Sequence, residues 1–122
     1  MKFLIAEDSS RMRESIKRFL TSNIPEGHTF YEASDGCEAV EIYDRVCPDW
    51  VLMDIEMEPM DGLVASKAIL TSDPGAKIII LTNFDDAGYR KAARQVGTIA
   101  FVSKEHLAEL SVIVSTYHDT EI

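Results

Sequence analysis

The sequence predicts an α/β fold, a single doubly wound (βα)5 domain built around a five-stranded parallel sheet. Three observations lead there. Five short strand-like runs punctuate the chain, at 3–6, 29–33, 50–53, 77–81 and 99–103. Between them lie segments whose apolar residues recur with helical spacing. The third and fourth runs, WVLM and KIIIL, are apolar almost throughout, as expected of strands covered on both faces. Strands that alternate with helices pair in parallel through right-handed crossovers. The 122 residues suit one domain with a core of its own, expected to span 1–122. No linker, repeat or low-complexity stretch interrupts it.

FLIA (3–6) reads as the first buried strand, and Met12, Ile16, Phe19 and Leu20 then share one helical face. TFYEA (29–33) is the second strand. Asp35, with Glu38 three residues on, has the form of a capping box. It opens a helix through about Val46 that ends before Pro48. WVLM (50–53) follows as the third strand. Asp61-Gly62 begins a helix to about Ser72, closed by the turn Asp73-Pro74-Gly75. After KIIIL (77–81), Tyr89, Ala92, Ala93 and Val96 follow the i, i+3, i+4, i+7 pattern, and Gly97 stands where a helix C-cap glycine belongs. IAFVS (99–103) is the last strand. The closing helix runs from Glu105 to about Tyr117, with Leu107, Leu110, Val114 and Tyr117 on one side.

Composition narrows the function. Hydrophobic residues make up 46% and charged residues 27%, a globular balance. The formal net charge of -9 argues against non-specific binding to nucleic acid or to an anionic membrane, since both need a basic face. It suits a protein that meets cations or basic partner surfaces. The start MKFLIAED lacks the form of a signal peptide, and no apolar run approaches the ~18 residues of a membrane span, so a cytoplasmic location is expected. Cys37 and Cys47 have neither CxxC spacing nor a matching His pair and read as reduced thiols. His28, His106 and His118 are scattered and read as surface or cap residues.

In a doubly wound sheet the carboxyl ends of the strands share one edge, where ligands bind. The residues that follow the strand runs are informative. Glu7-Asp8 follows the first, Asp54 the third, Thr82 the fourth and Lys104 the fifth. Any one of them is ordinary at a strand end. Together they bring three carboxylates, a hydroxyl and an ammonium from four distant segments to one pocket. Adjacent acids need compensation, because two like charges at ~4 Å repel by about 4 kcal/mol at an effective dielectric near 20. Mg²⁺, a hard ion that takes oxygen ligands and joins phosphates, would supply it. Asp54 is then either a further ligand or a carboxylate nucleophile of the aspartyl-phosphate kind. The hydroxyl and Lys104 would face phosphoryl oxygens, giving the positioning and charge neutralisation that phosphoryl transfer requires.

AEDSS, MDIEMEPMDG, ILTN and FVSK, at their spacings, resemble a response-regulator receiver domain of two-component signalling, chemotaxis regulators included. The likeness covers essentially the whole chain. It implies the flavodoxin-like strand order 2-1-3-4-5 and a protein that is a phosphoacceptor rather than an enzyme. It also implies that Asp54 takes a phosphoryl group from a histidine kinase, a phosphotransfer protein or a small phosphodonor. Asp8 would ligate Mg²⁺ directly, Glu7 through water and Glu56 through its backbone carbonyl. Thr82 and Lys104 would contact the phosphoryl group, and Phe101 matches the aromatic switch position. The signal would leave through the 86–117 face, which carries Arg90, Lys91 and Arg94 opposite Glu105 and Glu109. That mixture of signs suits a homodimer across a two-fold axis, or contact with a partner or output domain. Three positions depart from the family. Glu58 precedes Pro59 where proline usually stands one residue earlier, Asn83 replaces a small residue after the threonine, and Glu105 replaces the proline after the lysine. Without that proline no cis peptide is expected at Lys104–Glu105.

Three other functions fit parts of the pattern. A flavodoxin-like electron carrier needs a first loop rich in Gly, Ser and Thr to hold a phosphate, and Glu7-Asp8 would repel that anion. A haloacid-dehalogenase-type phosphatase needs a second Asp two residues after the first, where Glu56 stands. A pseudo-receiver, a binding module that takes no phosphate, would not need the complete acceptor, acid and lysine set.

Overall fold

The computed structural model describes residues 1–25, 27–83 and 86–121, with the side chains of 118–121 excluded. The elements are β1 (Lys2–Ala6), α1 (Ser10–Asn23), β2 (Thr29–Ala33), α2 (Gly36–Val46), β3 (Trp50–Met53), α3 (Gly62–Ser72), β4 (Ile78–Thr82), α4 (Ala87–Val96) and β5 (Ala100–Ser103). A 3₁₀ turn, Lys104–His106, precedes α5 (Ala108–Glu121). The strands form one parallel sheet in the order β2-β1-β3-β4-β5, as the resemblance implied.

Side chains alternate across a strand, and each central strand divides its residues between two cores. Phe3 and Ile5, Trp50 and Leu52, and Ile79 and Leu81 face α1 and α5, where they meet Ile16, Leu20, Leu110 and Val114. Leu4 and Ala6, Val51 and Met53, and Ile78 and Ile80 face Ala39 and Tyr43 of α2, Ala65 and Ile69 of α3, and Ala93 of α4. Full burial of one such large side chain contributes about 1.5–3 kcal/mol. Apolarity on both faces is what fixes β3 and β4 at the centre of the sheet.

The helix starts follow one rule. Ser9, Asp35, Asp61 and Asp86 each accept a hydrogen bond from the backbone N–H three residues on, at 2.9–3.2 Å. The capping box at α2 closes one residue earlier than its usual form, because Glu38 Oε1 accepts from the N–H and hydroxyl of Ser34, at 2.8 and 2.7 Å. At the end of α4, Gly97 takes φ 107°, and the Thr98 N–H reaches back to the Ala93 carbonyl.

The last helix differs from expectation. Ser103 Oγ accepts from the Glu105 N–H at 3.2 Å and closes the single tight turn that carries Lys104. The α-helix therefore starts at Ala108 rather than Glu105 and continues past Tyr117. Leu110 and Val114 are fully buried, whereas Tyr117 is exposed and meets Trp50 edge-on. Strand bounds also move. β1 starts at Lys2, β4 takes in Thr82, and β5 starts at Ala100.

Both cysteines are free and exposed. His28 Nε2 pairs with the carbonyl of Ile24, the C-cap of α1, and His106 is exposed. His118 lies outside the described side chains. Glu58–Pro59 is the one cis peptide among the described residues. Among the described residues, no helix is long and apolar enough to cross a membrane.

Tyr43 ties α2 to the C-cap of α3, its hydroxyl donating to Asp73 Oδ2 at 2.6 Å. Burial and the Asp73 carboxylate push the phenol pKa up, so the proton stays in place. Tyr43→Phe leaves the ring and removes this charge-assisted bond. Urea denaturation should show a loss of about 1.5 kcal/mol.

Candidate functional site

The carboxyl ends of β1 and β3, with the residues just past β4 and β5, open on one cavity of about 540 Å³. Its walls include Glu7, Asp8, Asp54, Glu56, Asn83 and Lys104. The sheet itself places the acids. Glu7 and Asp54 continue the ladders one residue beyond their strands, with Glu7 N–H donating to the Ala33 carbonyl at 2.9 Å and Asp54 N–H to the Ala6 carbonyl at 3.0 Å. Glu7 is 2% exposed and Asp54 6%. Two carboxylates are thus held almost out of solvent by backbone hydrogen bonds.

Lys104 offsets their charge. Its ammonium donates to Glu7 Oε1 and, at 3.3 Å, to Asp54 Oδ2. Burial alone would lower its pKa, but the hydrogen bond to Glu7 and the charges of Asp54 and Glu7 outweigh that and raise it. The Asp8 carboxyl is raised as well, first by its hydrogen bond with Glu7, then by burial and the Glu7 charge. Asp54 Oδ1 is occupied by the Ile55 N–H at 2.9 Å, which leaves Oδ2 as the oxygen turned toward Lys104.

The buried oxygen Glu7 Oε2 has no hydrogen-bond partner. A buried carboxylate oxygen without a partner requires an explanation. One oxygen each from Glu7, Asp8 and Asp54 lies within 4.8 Å of the others, close enough to share an ion. An all-oxygen acidic donor set with an unsatisfied buried member fits Mg²⁺.

Five of the seven residues singled out from the sequence, Glu7, Asp8, Asp54, Glu56 and Lys104, line this cavity. Thr82 does not. It is the last residue of β4, fully buried and in register with Ser103, and its neighbour Asn83 reaches the cavity wall. Phe101 belongs to a separate cavity of about 260 Å³ between α4 and β5, with its ring centroid 4.7 Å from the Arg90 guanidinium carbon.

The contribution of α1 was not visible in the strand-end pattern. Arg11, Met12 and Ser15 line the cavity, and Arg13 Nη1 donates to the Glu7 carbonyl at 2.6 Å. The signal was available in Ser9, whose capping side chain starts α1 beside the acidic pair and so brings the helix's first turns to the site.

Comparison with known proteins agrees with this fold. The family described as the response regulator receiver domain matches residues 3–117. Chemotaxis protein CheY of Listeria monocytogenes is 37% identical over 109 residues, which cover 89% of this chain and 90% of that protein. The uncharacterized transcriptional regulatory protein YhcZ of Bacillus subtilis is 33% identical over 121 residues, covering 99% of this chain and 56% of its own length. Among solved structures, the fold is similar to the CheX-CheY-BeF3-Mg+2 complex from Borrelia burgdorferi, with a TM-score of 0.83 at 25% identity over 95% of this chain and 89% of that one. A LuxR-family two-component response regulator from Aurantimonas sp. SI85-9A1 gives a TM-score of 0.87 at 26% identity, covering 95% and 83%. The chain belongs to the response regulator receiver domain family, the receivers of two-component signal transduction.

Proposed function

We propose that residues 1–122 form a receiver that accepts a phosphoryl group on Asp54 in a Mg²⁺-dependent reaction and passes the signal on through its 86–117 face. One observation carries this reading. A single cavity joins the buried Asp54 carboxylate, two more carboxylates and the Lys104 ammonium. In the transfer, Asp54 Oδ2 attacks phosphorus, an O–P bond forms, and the bond from phosphorus to the donor breaks. With a phosphohistidine donor the electron pair returns to the imidazole nitrogen, which then takes a proton.

Asp8 and Asp54 would hold Mg²⁺ directly, Glu7 through water and Glu56 through its carbonyl. The bound ion supplies charge neutralisation for the phosphoryl oxygens and for the acid cluster. Lys104 stands ready to move from Asp54 Oδ2 to a phosphoryl oxygen, since the carboxylate loses its charge when esterified. The Thr82 hydroxyl, buried behind the cavity wall, moves toward the same group on phosphorylation, and Phe101 turns inward with it as the aromatic switch. The added charge of about -1.5 to -2 is what biases the two states. Donors are a histidine kinase, a phosphotransfer protein or a small phosphodonor met in the cytoplasm. The switched face, which carries Arg90, Lys91, Arg94, Glu105 and Glu109, pairs with a second copy or with a partner or output domain.

Melting curves test the metal and phosphoryl parts separately. Mg²⁺ at 100-fold over its dissociation constant should add about 2.7 kcal/mol of stability. Beryllofluoride with Mg²⁺, standing in for the phosphoryl group, should raise the melting temperature further. Asp54→Asn should fold normally and lose the beryllofluoride increment. A melting temperature unchanged by Mg²⁺ at tenfold or more above ~1 mM would overturn the three-carboxylate site.

A further inference from the structure

The Glu7–Asp8 segment carries adjacent acids, yet the hydrogen bonds on its own peptide come from other elements. On one side, the Glu7 N–H donates to the Ala33 carbonyl of β2 at 2.9 Å. On the other, the Glu7 carbonyl accepts from Arg13 Nη1 of α1 at 2.6 Å. The same guanidinium donates through Nε to Glu32 Oε1 at 2.9 Å. Glu32 is the residue of β2 just before Ala33, so both grips on Glu7 trace back to one point on the neighbouring strand. The second oxygen of Glu32 is also used, accepting from Lys17 Nζ at 3.1 Å. The two hydrogen bonds, to Arg13 and to Lys17, outweigh the effect of burial and hold the Glu32 carboxyl below its ordinary pKa, keeping the anchor charged.

We propose that Arg13 is a positioning residue for the metal site, locking the Glu7 peptide, with Glu32 locking Arg13 in turn. The proposal rests on the reading of Glu7, Asp8 and Asp54 as the Mg²⁺ site. The Glu7 carbonyl belongs to the peptide that joins Glu7 to Asp8. Its orientation therefore sets where the Asp8 carboxylate stands relative to Glu7 and Asp54. A planar guanidinium holds its donors in a rigid fork, whereas the donors of a lysine ammonium rotate on a flexible stem. Partners that orient metal ligands are typically worth 10- to 100-fold in metal affinity.

The sign of the effect separates positioning from simple electrostatics. Arg13 is a cation next to a cation site, so its charge alone opposes Mg²⁺, and its removal would tighten binding. Positioning requires the reverse.

The test is Mg²⁺ titration by calorimetry of the full chain and its variants, with melting temperatures measured alongside. Arg13→Gln should weaken Mg²⁺ at least tenfold, Arg13→Lys should recover little of that, and Glu32→Gln should weaken it severalfold. Lys17→Met removes the same unit of charge from the same network but no contact with Glu7, and should stay within twofold of wild type. Amide exchange on the metal-free protein gives an independent readout. In Arg13→Gln the Glu7 and Asp8 amides should exchange at least tenfold faster, with Ile5 unchanged. Arg13→Gln binding Mg²⁺ as tightly as wild type or tighter overturns the positioning role, even if the melting temperature falls. Wild-type protein that binds no Mg²⁺ overturns the site and the proposal together.

Discussion

Gly62→Ala should destabilise the protein by about 3 kcal/mol, against the usual direction for a helical glycine. Alanine inside a helix normally gains roughly 0.5–1 kcal/mol over glycine. Gly62 is the first residue of α3, and its N–H donates to the Ile55 carbonyl at 2.9 Å. A Cβ built there would lie 1.8 Å from the Asp54 carbonyl oxygen and 2.9 Å from Met53 Cγ. The first contact is with backbone, which has no rotamer to escape through. Overpacking of this kind costs roughly 1–3 kcal/mol and occasionally more, so the overlap prevails over helix propensity. The strain falls on the peptide of Asp54, the proposed acceptor, and a shift of ~1 Å there can cost about 100-fold in transfer rate. Urea denaturation and phosphorylation kinetics check both effects. A variant as stable as wild type would mean that α3 does not rest on Asp54.

Lys104→Met should cost the metal-free protein about 3 kcal/mol, much of it recovered when Mg²⁺ is added. The variant leaves the Glu7 and Asp54 carboxylates, whose side chains are 3% and 8% exposed, without their cation. Removing one partner from a buried ion pair costs roughly 3–5 kcal/mol, and the adjoining cavity lets water relieve part of it. The pH dependence follows from Lys104, whose folded pKa is raised above 10.5. Its contribution is fully present below about 10.5 and is lost as pH rises through the higher folded value. Wild type should therefore weaken at strongly alkaline pH, with Lys104→Met lacking that component. The variant should still bind Mg²⁺ and lose the proposed coupling between phosphorylation and the 86–117 face. Denaturation curves with and without Mg²⁺ decide it, and equal stability of variant and wild type without metal would contradict the role given to Lys104.

Where local chemistry decides structure, the sequence was legible. Apolar β3 and β4 declared themselves as central strands, Asp35 and Asp61 as helix caps and Gly97 as a helix stop. The acids and the lysine could be placed together because the parallel sheet makes every carboxyl end share an edge. What escaped depends on contacts between distant residues. The Arg13–Glu32 pair spans 19 positions and two elements, and neither residue belongs to a recognisable motif. The delayed start of α5 turns on the Ser103 hydroxyl, which captures the Glu105 N–H and leaves a 3₁₀ turn where helix periodicity promised a full one. The apolar run 77–81 places Thr82 just past its strand. Pairing of β4 with β5 extends through it, and so Asn83 rather than Thr82 meets the cavity.

Asp54 as the acceptor is tested most directly by intact-mass and peptide mass spectrometry after incubation with phosphoramidate. With Mg²⁺, wild-type protein should gain the mass of one phosphoryl group, acid-stable and base-labile, on the peptide that contains Asp54. Chelation of the metal or Asp54→Asn should abolish it. A phosphoryl group that persists in Asp54→Asn, or maps to another peptide in wild type, would contradict the assignment.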